Sequence, residues 1–135
     1  MTMVRFNPWR DFHPALSAVQ PASDDAGWTP PVDVWESAED YRIELEIPAV
    51  RAADVDVAID DGVLKISGER KRPSLDDSEQ NRRQERRYGA FQRLFQLPEQ
   101  ADPDSVEARV AEGVLEVRIA KQATMQPRRI EVVAA

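Results

Sequence analysis

Two stretches of this chain, 51 positions apart, spell nearly the same hairpin. The first is Ala53-Asp54-Val55-Asp56-Val57-Ala58-Ile59-Asp60-Asp61-Gly62-Val63-Leu64-Lys65-Ile66-Ser67. The second runs from Asp104 through Val106, Ala108 and Val110 to Glu112-Gly113, then back through Leu115 and Val117 to Arg118. Apolar residues fall on every second position, the period of a strand with one face buried. Each turn is an acidic residue followed by Gly, and the Asp61-Gly62 pair is among those a two-residue hairpin accepts most readily. Both stretches follow an apolar-Pro strand end, at Ile47-Pro48 and at Leu97-Pro98. A hairpin with a single apolar face can bury it only against another sheet. The echo therefore predicts two packed sheets within one domain.

The remaining alternation agrees. Tyr41, Ile43, Leu45 and Ile47 alternate with Arg42, Glu44 and Glu46, and Phe91, Phe95 and Leu97 share a parity. Half-buried antiparallel strands with short turns are the pattern of an all-β sandwich. At 135 residues the chain accommodates one such domain with flanking arms. The expected division is an N-terminal arm at 1–31, a domain at 32–121 and an extended tail at 122–135.

The arm holds five of the ten prolines, which forbid a long helix, and four of the nine aromatics: Phe6, Trp9, Phe12 and Trp28. Rings on a segment without a framework of its own are expected to form a sticky surface, for other subunits, for unfolded chains or for both. The segment 71–87 breaks the strand rhythm, and connections of that length within a domain are usually functional or disordered. Its second half, 81–88, is expected to form a strand that pairs outside its own subunit. In the tail, Ile130 and Val132 share one face of an extended segment that has nothing of its own to pack against, as a plug for another subunit's groove would.

Other chemistries find little support. Without Cys, neither a disulfide framework nor a thiolate metal site can form. His13 is the single histidine and can build neither a metal site nor a catalytic triad alone. The pairs Asp24-Asp25, Asp60-Asp61 and Asp76-Asp77 lack the spacing of a calcium loop. No Gly-x-x-x-x-Gly-Lys-Ser/Thr loop is present to cradle a nucleotide, so no cofactor is expected. A net charge of −7 argues against a general nucleic-acid binder. The charge is uneven: residues 32–68 carry ten acids and three bases, while 69–87 carry seven bases and five acids. That basic loop is expected to be solvated or paired with an acidic neighbouring subunit. No secretory leader and no apolar run long enough to span a membrane is expected, and the chain reads as cytoplasmic.

Taken in order, Phe91-Gln92-Arg93-Leu94-Phe95-Gln96-Leu97-Pro98, Ala108-x-x-x-x-Gly113-Val114-Leu115 and Ile130-Glu131-Val132 resemble the small heat-shock protein, or α-crystallin, family. The opening Asn7-Pro8-Trp9-Arg10-Asp11-Phe12 looks like the arm of its bacterial members. The resemblance implies an immunoglobulin-like sandwich without a catalytic site and an ATP-independent holdase that captures partly unfolded proteins. It implies a homodimer through an exchanged loop strand, docked on the partner's edge around residues 31–35, and larger homo-oligomers through tails. By the same resemblance, Ile130 and Val132 would dock in a groove presenting Val55, Val57, Ile59, Val106, Ala108 and Val110. Arg93, Gly113 and Tyr88 would stabilise the domain and its dimer, with Arg93 paired to a carboxylate at the dimer contact. Two departures stand out. Ala120-Lys121 occupy the place where members often carry Pro, and Val132 is one methylene shorter than Ile, a loss of about 0.8 kcal/mol on burial. The alternative is a CS-domain-like co-chaperone adaptor that binds a folded partner, which would need neither the tail nor the long loop.

Overall fold

The computed structural model describes residues 27–123 and 128–135. Seven strands form two antiparallel sheets: β1 (Val32–Glu36), β2 (Asp40–Glu46), β3 (Val55–Asp60), β4 (Val63–Arg70), β5 (Gly89–Gln96), β6 (Ala101–Ala111) and β7 (Val114–Lys121). One sheet has the order β1-β2-β7-β6 and the other β3-β4-β5. A single turn of 3-10 helix (Ala52–Asp54) leads into β3.

The alternation decides which side chains meet. Tyr41, Ile43 and Leu45 of β2 and Leu115, Val117 and Ile119 of β7 are buried, as are Leu64 and Ile66 of β4 and Phe91 and Phe95 of β5. Together with Ile47 they fill the space between the sheets, while Arg42, Glu44, Glu116 and Arg118 lie on the opposite parity. Burying each aliphatic side chain of this kind contributes about 1.5–3 kcal/mol.

Both predicted turns are present. Asp61-Gly62 joins β3 to β4 and Glu112-Gly113 joins β6 to β7, with φ of 49° and 74° in the first and 53° and 78° in the second. Two successive positive φ angles give the tight turn whose twist matches that of the flanking strands. The echo thus becomes two hairpins with equivalent roles: in each, the returning strand is interior to its sheet and the outgoing strand, β3 or β6, is an edge.

Two boundaries differ from expectation. β6 begins at Ala101 instead of Val106, with an irregularity between the two positions. Pro103 falls within it and has no N–H for the ladder, which accounts for the interruption. The second difference concerns Trp28. Expected on the arm, it is only 7% exposed and belongs to the core. Its ring meets Phe91 edge-on at 5.2 Å between centroids, and its Nε1 donates to the Gly89 carbonyl at 3.1 Å. The domain's packing therefore includes residues before 32.

Candidate functional site

The edges come first. Pro30 accepts a hydrogen bond from Arg93 of β5, and Pro31 accepts one from the Glu46 amide of β2. The segment before β1 thus ties the β1 side of one sheet to the β5 side of the other. β3 and β6, the far edges, consequently share the opposite flank. On β3, Val55, Val57 and Ile59 are half-buried and pack against the core, and so do Val106 and Val110 of β6. Ala108 is exposed between them. Two apolar rows, each on the open edge of a sheet, are brought to one flank with partly accessible side chains.

The tail is the complementary object. Ile130 and Val132 are 77% and 92% exposed, and Val133 is exposed as well. Within the chain the six edge residues and the two tail residues are placed but not joined.

Arg93 lies on the inward parity of β5, opposite Ile66, and is half-buried. Within the chain the guanidinium donates to the Pro30 carbonyl at 2.7 Å and lies 5.9 Å from the Phe95 ring centroid, and the carboxylate expected at the dimer contact would have to come from a second copy. Burial lowers the Arg93 guanidinium's hold on its proton. Gly113 sits where a Cβ would approach Pro48 Cα to 3.3 Å, and its carbonyl accepts from the Ile47 amide at 2.8 Å. Tyr88 is half-buried beside β5, with its hydroxyl accepting from Arg86 at 3.0 Å. Phe6, Trp9 and Phe12 lie outside the described residues.

The loop 71–88 contains no strand in the single chain. Arg72 donates to Gln84 Oε1 at 2.6 Å, as does Asn81 at 2.9 Å, which draws the loop's two limbs together.

One residue with a central place was missed. Arg70, in the basic cluster, is 7% exposed. Its Nε donates to the Pro48 carbonyl at 3.0 Å and a terminal nitrogen to the Arg87 carbonyl at 2.9 Å, while its guanidinium lies 3.8 Å from the Trp28 ring centroid. One cation therefore holds the chain before β1, the turn after β2 and the C-terminal end of the loop. Gly27 makes this approach feasible: with φ of 103°, it lies so close to the Ala90 carbonyl that any Cβ would overlap it. The signal was available in parity, since Arg70 shares that of Leu64 and Ile66 in the same strand.

The outer face of the four-stranded sheet carries ion pairs within and between strands. Arg118 Nε donates to Glu116 Oε1 at 2.9 Å, and Arg109 lies 3.3 Å from the same carboxylate. Arg118 is the first cause holding the Glu116 carboxyl below its usual range. Arg42 Nε lies 3.1 Å from Glu44 Oε1, but off line, so the charges pair without a directed hydrogen bond. Among the described residues no group of three or more His, Cys, Asp or Glu could hold a metal ion, and no helix is long and apolar enough to cross a membrane.

An antiparallel seven-strand sandwich with open apolar edges and a detached apolar tail defines a binding module of the α-crystallin type. The chain belongs to the Hsp20/alpha crystallin family, whose sequence model matches residues 33–133. It is 32% identical over 111 residues to small heat shock protein C2 of Rickettsia felis, covering 82% of this chain and 72% of that protein. A spore protein of Stigmatella aurantiaca is 34% identical over 108 residues, covering 80% and 64%. Among solved structures, a small heat-shock protein from Xylella fastidiosa superposes with a TM-score of 0.68 at 42% identity, covering 81% of this chain and all of that one. The hspA protein of Xanthomonas axonopodis gives 0.65 at 41% identity, covering 72% and 97%. The family is one of stress-response chaperones, which are not enzymes and which form homo-oligomers.

Proposed function

We propose that this protein is an ATP-independent holdase of the cytoplasm that assembles through its tails and binds partly unfolded proteins on the surfaces that assembly covers. The observation supporting this reading is the coexistence, in one chain, of a highly exposed Ile130/Val132 pair and two accessible apolar edge rows. Burying Ile130 and Val132 yields roughly 3–6 kcal/mol gross. The ordering of the tail subtracts from that. One docked tail is therefore a reversible contact, and a particle holds together by having many. Subunits can leave such a particle, exposing the edge rows and the part of the arm that carries Phe6, Trp9 and Phe12 to apolar segments of clients. Selection then follows from exposed apolar surface and not from sequence, since burial of such surface is non-directional. In the same reading, dimers form when the loop strand 81–88 pairs with the partner's β1.

The test is a full-length variant, Ile130→Ala with Val132→Ala, sized by light scattering and assayed, without nucleotide, for suppression of aggregation of a heat-unfolded client. The expected outcome is a small species, down to the dimer, with unchanged β content. A particle of parental size would overturn the tail's role, and a parent that needs ATP to suppress aggregation would overturn the holdase.

A further inference from the structure

Five large apolar side chains are exposed among the described residues: Trp35, Leu75, Ile130, Val132 and Val133. Three belong to the tail. The other two, Trp35 on β1 and Leu75 in the basic loop, have no part in the tail–groove pairing. We propose that they are partners across the dimer: Trp35 of one subunit enters a cavity in the loop of a second copy and anchors the exchanged loop. This inference rests on the loop-exchanged dimer proposed above and names the contact that gives it strength.

The cavity has a volume of about 310 Å³ and is lined by Arg72, Pro73, Leu75, Arg83, Arg86 and Tyr88, among others. A site of about 150 Å³ is enough for a benzene ring. This one can therefore take an indole. Its walls suit one. Leu75 and Pro73 supply apolar surface, and the Arg72 and Arg86 guanidiniums each lie 5.5 Å from the Tyr88 ring centroid. A cation stacks on an aromatic face by attraction to the ring quadrupole, and indole is the best such ring.

Trp35 is placed to be delivered there. It lies on the outward parity of β1, an edge of its sheet, and is 51% exposed with Arg42 5.6 Å from its ring centroid. Arg42 is already paired with Glu44, so its charge does not oppose the incoming guanidiniums unscreened. Asp33 shares the ring's outward parity on the same strand. The acid-rich segment 32–68 thus meets the base-rich loop, a complementarity that also orients the approach. Trp, Tyr and Arg are the residues that dominate binding energy where they meet at the centre of an interface.

A double-mutant cycle tests the contact. Full-length protein carrying Ile130→Ala and Val132→Ala serves as the background, and the dimer dissociation constant is measured by sedimentation equilibrium. Trp35→Ala should raise it about 10- to 100-fold, and Trp35→Phe should recover most of that loss. Leu75→Ala should raise it about 3- to 10-fold when Trp35 is present and leave it unchanged when Trp35 is Ala, with the circular dichroism of the sheets constant throughout. Equal Leu75→Ala effects in both backgrounds, or a Trp35→Ala dimer as tight as its parent, would overturn the anchor. If Leu75→Ala reduced client protection while leaving the dimer intact, the cavity would belong to clients and the proposal would fail. Deleting residues 73–86 separates the two readings: a dimer weakened by the deletion, with Trp35→Ala inert while the loop is intact, refutes only the anchor, whereas a dimer unchanged by the deletion refutes loop exchange itself.

Discussion

Arginines on the inward parity of a strand raise the same question at two positions of this protein and receive different answers. Arg93 is held by one carbonyl, that of Pro30. Arg70 is held by two carbonyls and a ring, and is the more deeply buried. Removing a charged donor that satisfies buried carbonyls leaves them unpaired at a cost of about 1–3 kcal/mol each. Arg70→Met keeps the length and apolar stem but loses both hydrogen bonds and the cation over Trp28. Stability should fall by about 2–4 kcal/mol, measured by urea unfolding, with faster amide exchange at Trp28 and Ala90. A loss below about 0.5 kcal/mol would show that the guanidinium is a bystander. Arg70 could be read only as one of seven bases in a mixed run because its partners lie far off in sequence. Parity suggests an inward aim, but nothing local says that a carbonyl after β2 and a ring before β1 will be waiting. Arg93 was legible in its aim; within the single chain its partner is the Pro30 carbonyl, and the carboxylate expected at the dimer contact would belong to a second copy.

At the scale of elements, the hairpins were legible because their information is local. Alternation sets the buried face, and Asp61-Gly62 and Glu112-Gly113 set the register to the residue. The β6 start was not, since Ala101 pairs with Lys121 across a break containing Pro103, where alternation carries no signal. The loop 71–88 was recognised by its lack of rhythm, and its irregular course in the single chain fits a strand that needs a partner. Deleting residues 73–86 should leave the β4–β5 ladder intact, because its register from Val63–Gln96 to Arg70–Gly89 involves no residue of the deletion. The far-ultraviolet spectrum should therefore be retained while the monomer–dimer equilibrium, followed by sedimentation at several concentrations, shifts to monomer at least tenfold. An equilibrium equal to the parent's would make the loop a solvated excursion.

For the whole molecule, pH gives a reading of how tightly the sandwich is closed. The Tyr41 hydroxyl donates to Gln100 Oε1 at 2.9 Å, and its pKa is pushed up from 10.0 to about 12, first by burial and then by Glu36. Below pH 10 the phenol is neutral in both folded and unfolded chains, and its contribution to stability is fully present. As pH rises towards 12 the unfolded chain ionises and the folded one does not, so the contribution is lost by the time the folded value is passed. The loss is on the order of 3 kcal/mol. Alkaline unfolding should be steeper in the parent than in Tyr41→Phe, and a spectrophotometric titration should show one tyrosine ionising late. Coincident profiles would mean that the region around Tyr41 is open to water. On the acid side the signs reverse. Asp54 is held below its ordinary value chiefly by Lys71 and Arg51, and Glu116 chiefly by Arg118, so what they contribute is present above the unfolded range near pH 4 and lost below it.

The two open edges carry a further consequence, for the protein's own solubility. A strand with unsatisfied backbone on one side is a template for identical strands, and stacking in register is how fibrils grow. Here β3 carries Asp56 between Val55 and Val57 and Asp60 after Ile59, and β6 interposes Glu107 and Arg109 between Val106 and Val110. A copy added in parallel register would set each of these charges over its own twin at the 4.7–4.8 Å spacing of a cross-β stack. The tail places one charge, Glu131, between Ile130 and Val132. Edge charges so placed penalise in-register stacking of a copy on itself, which guards an exposed edge against the growth of fibrils.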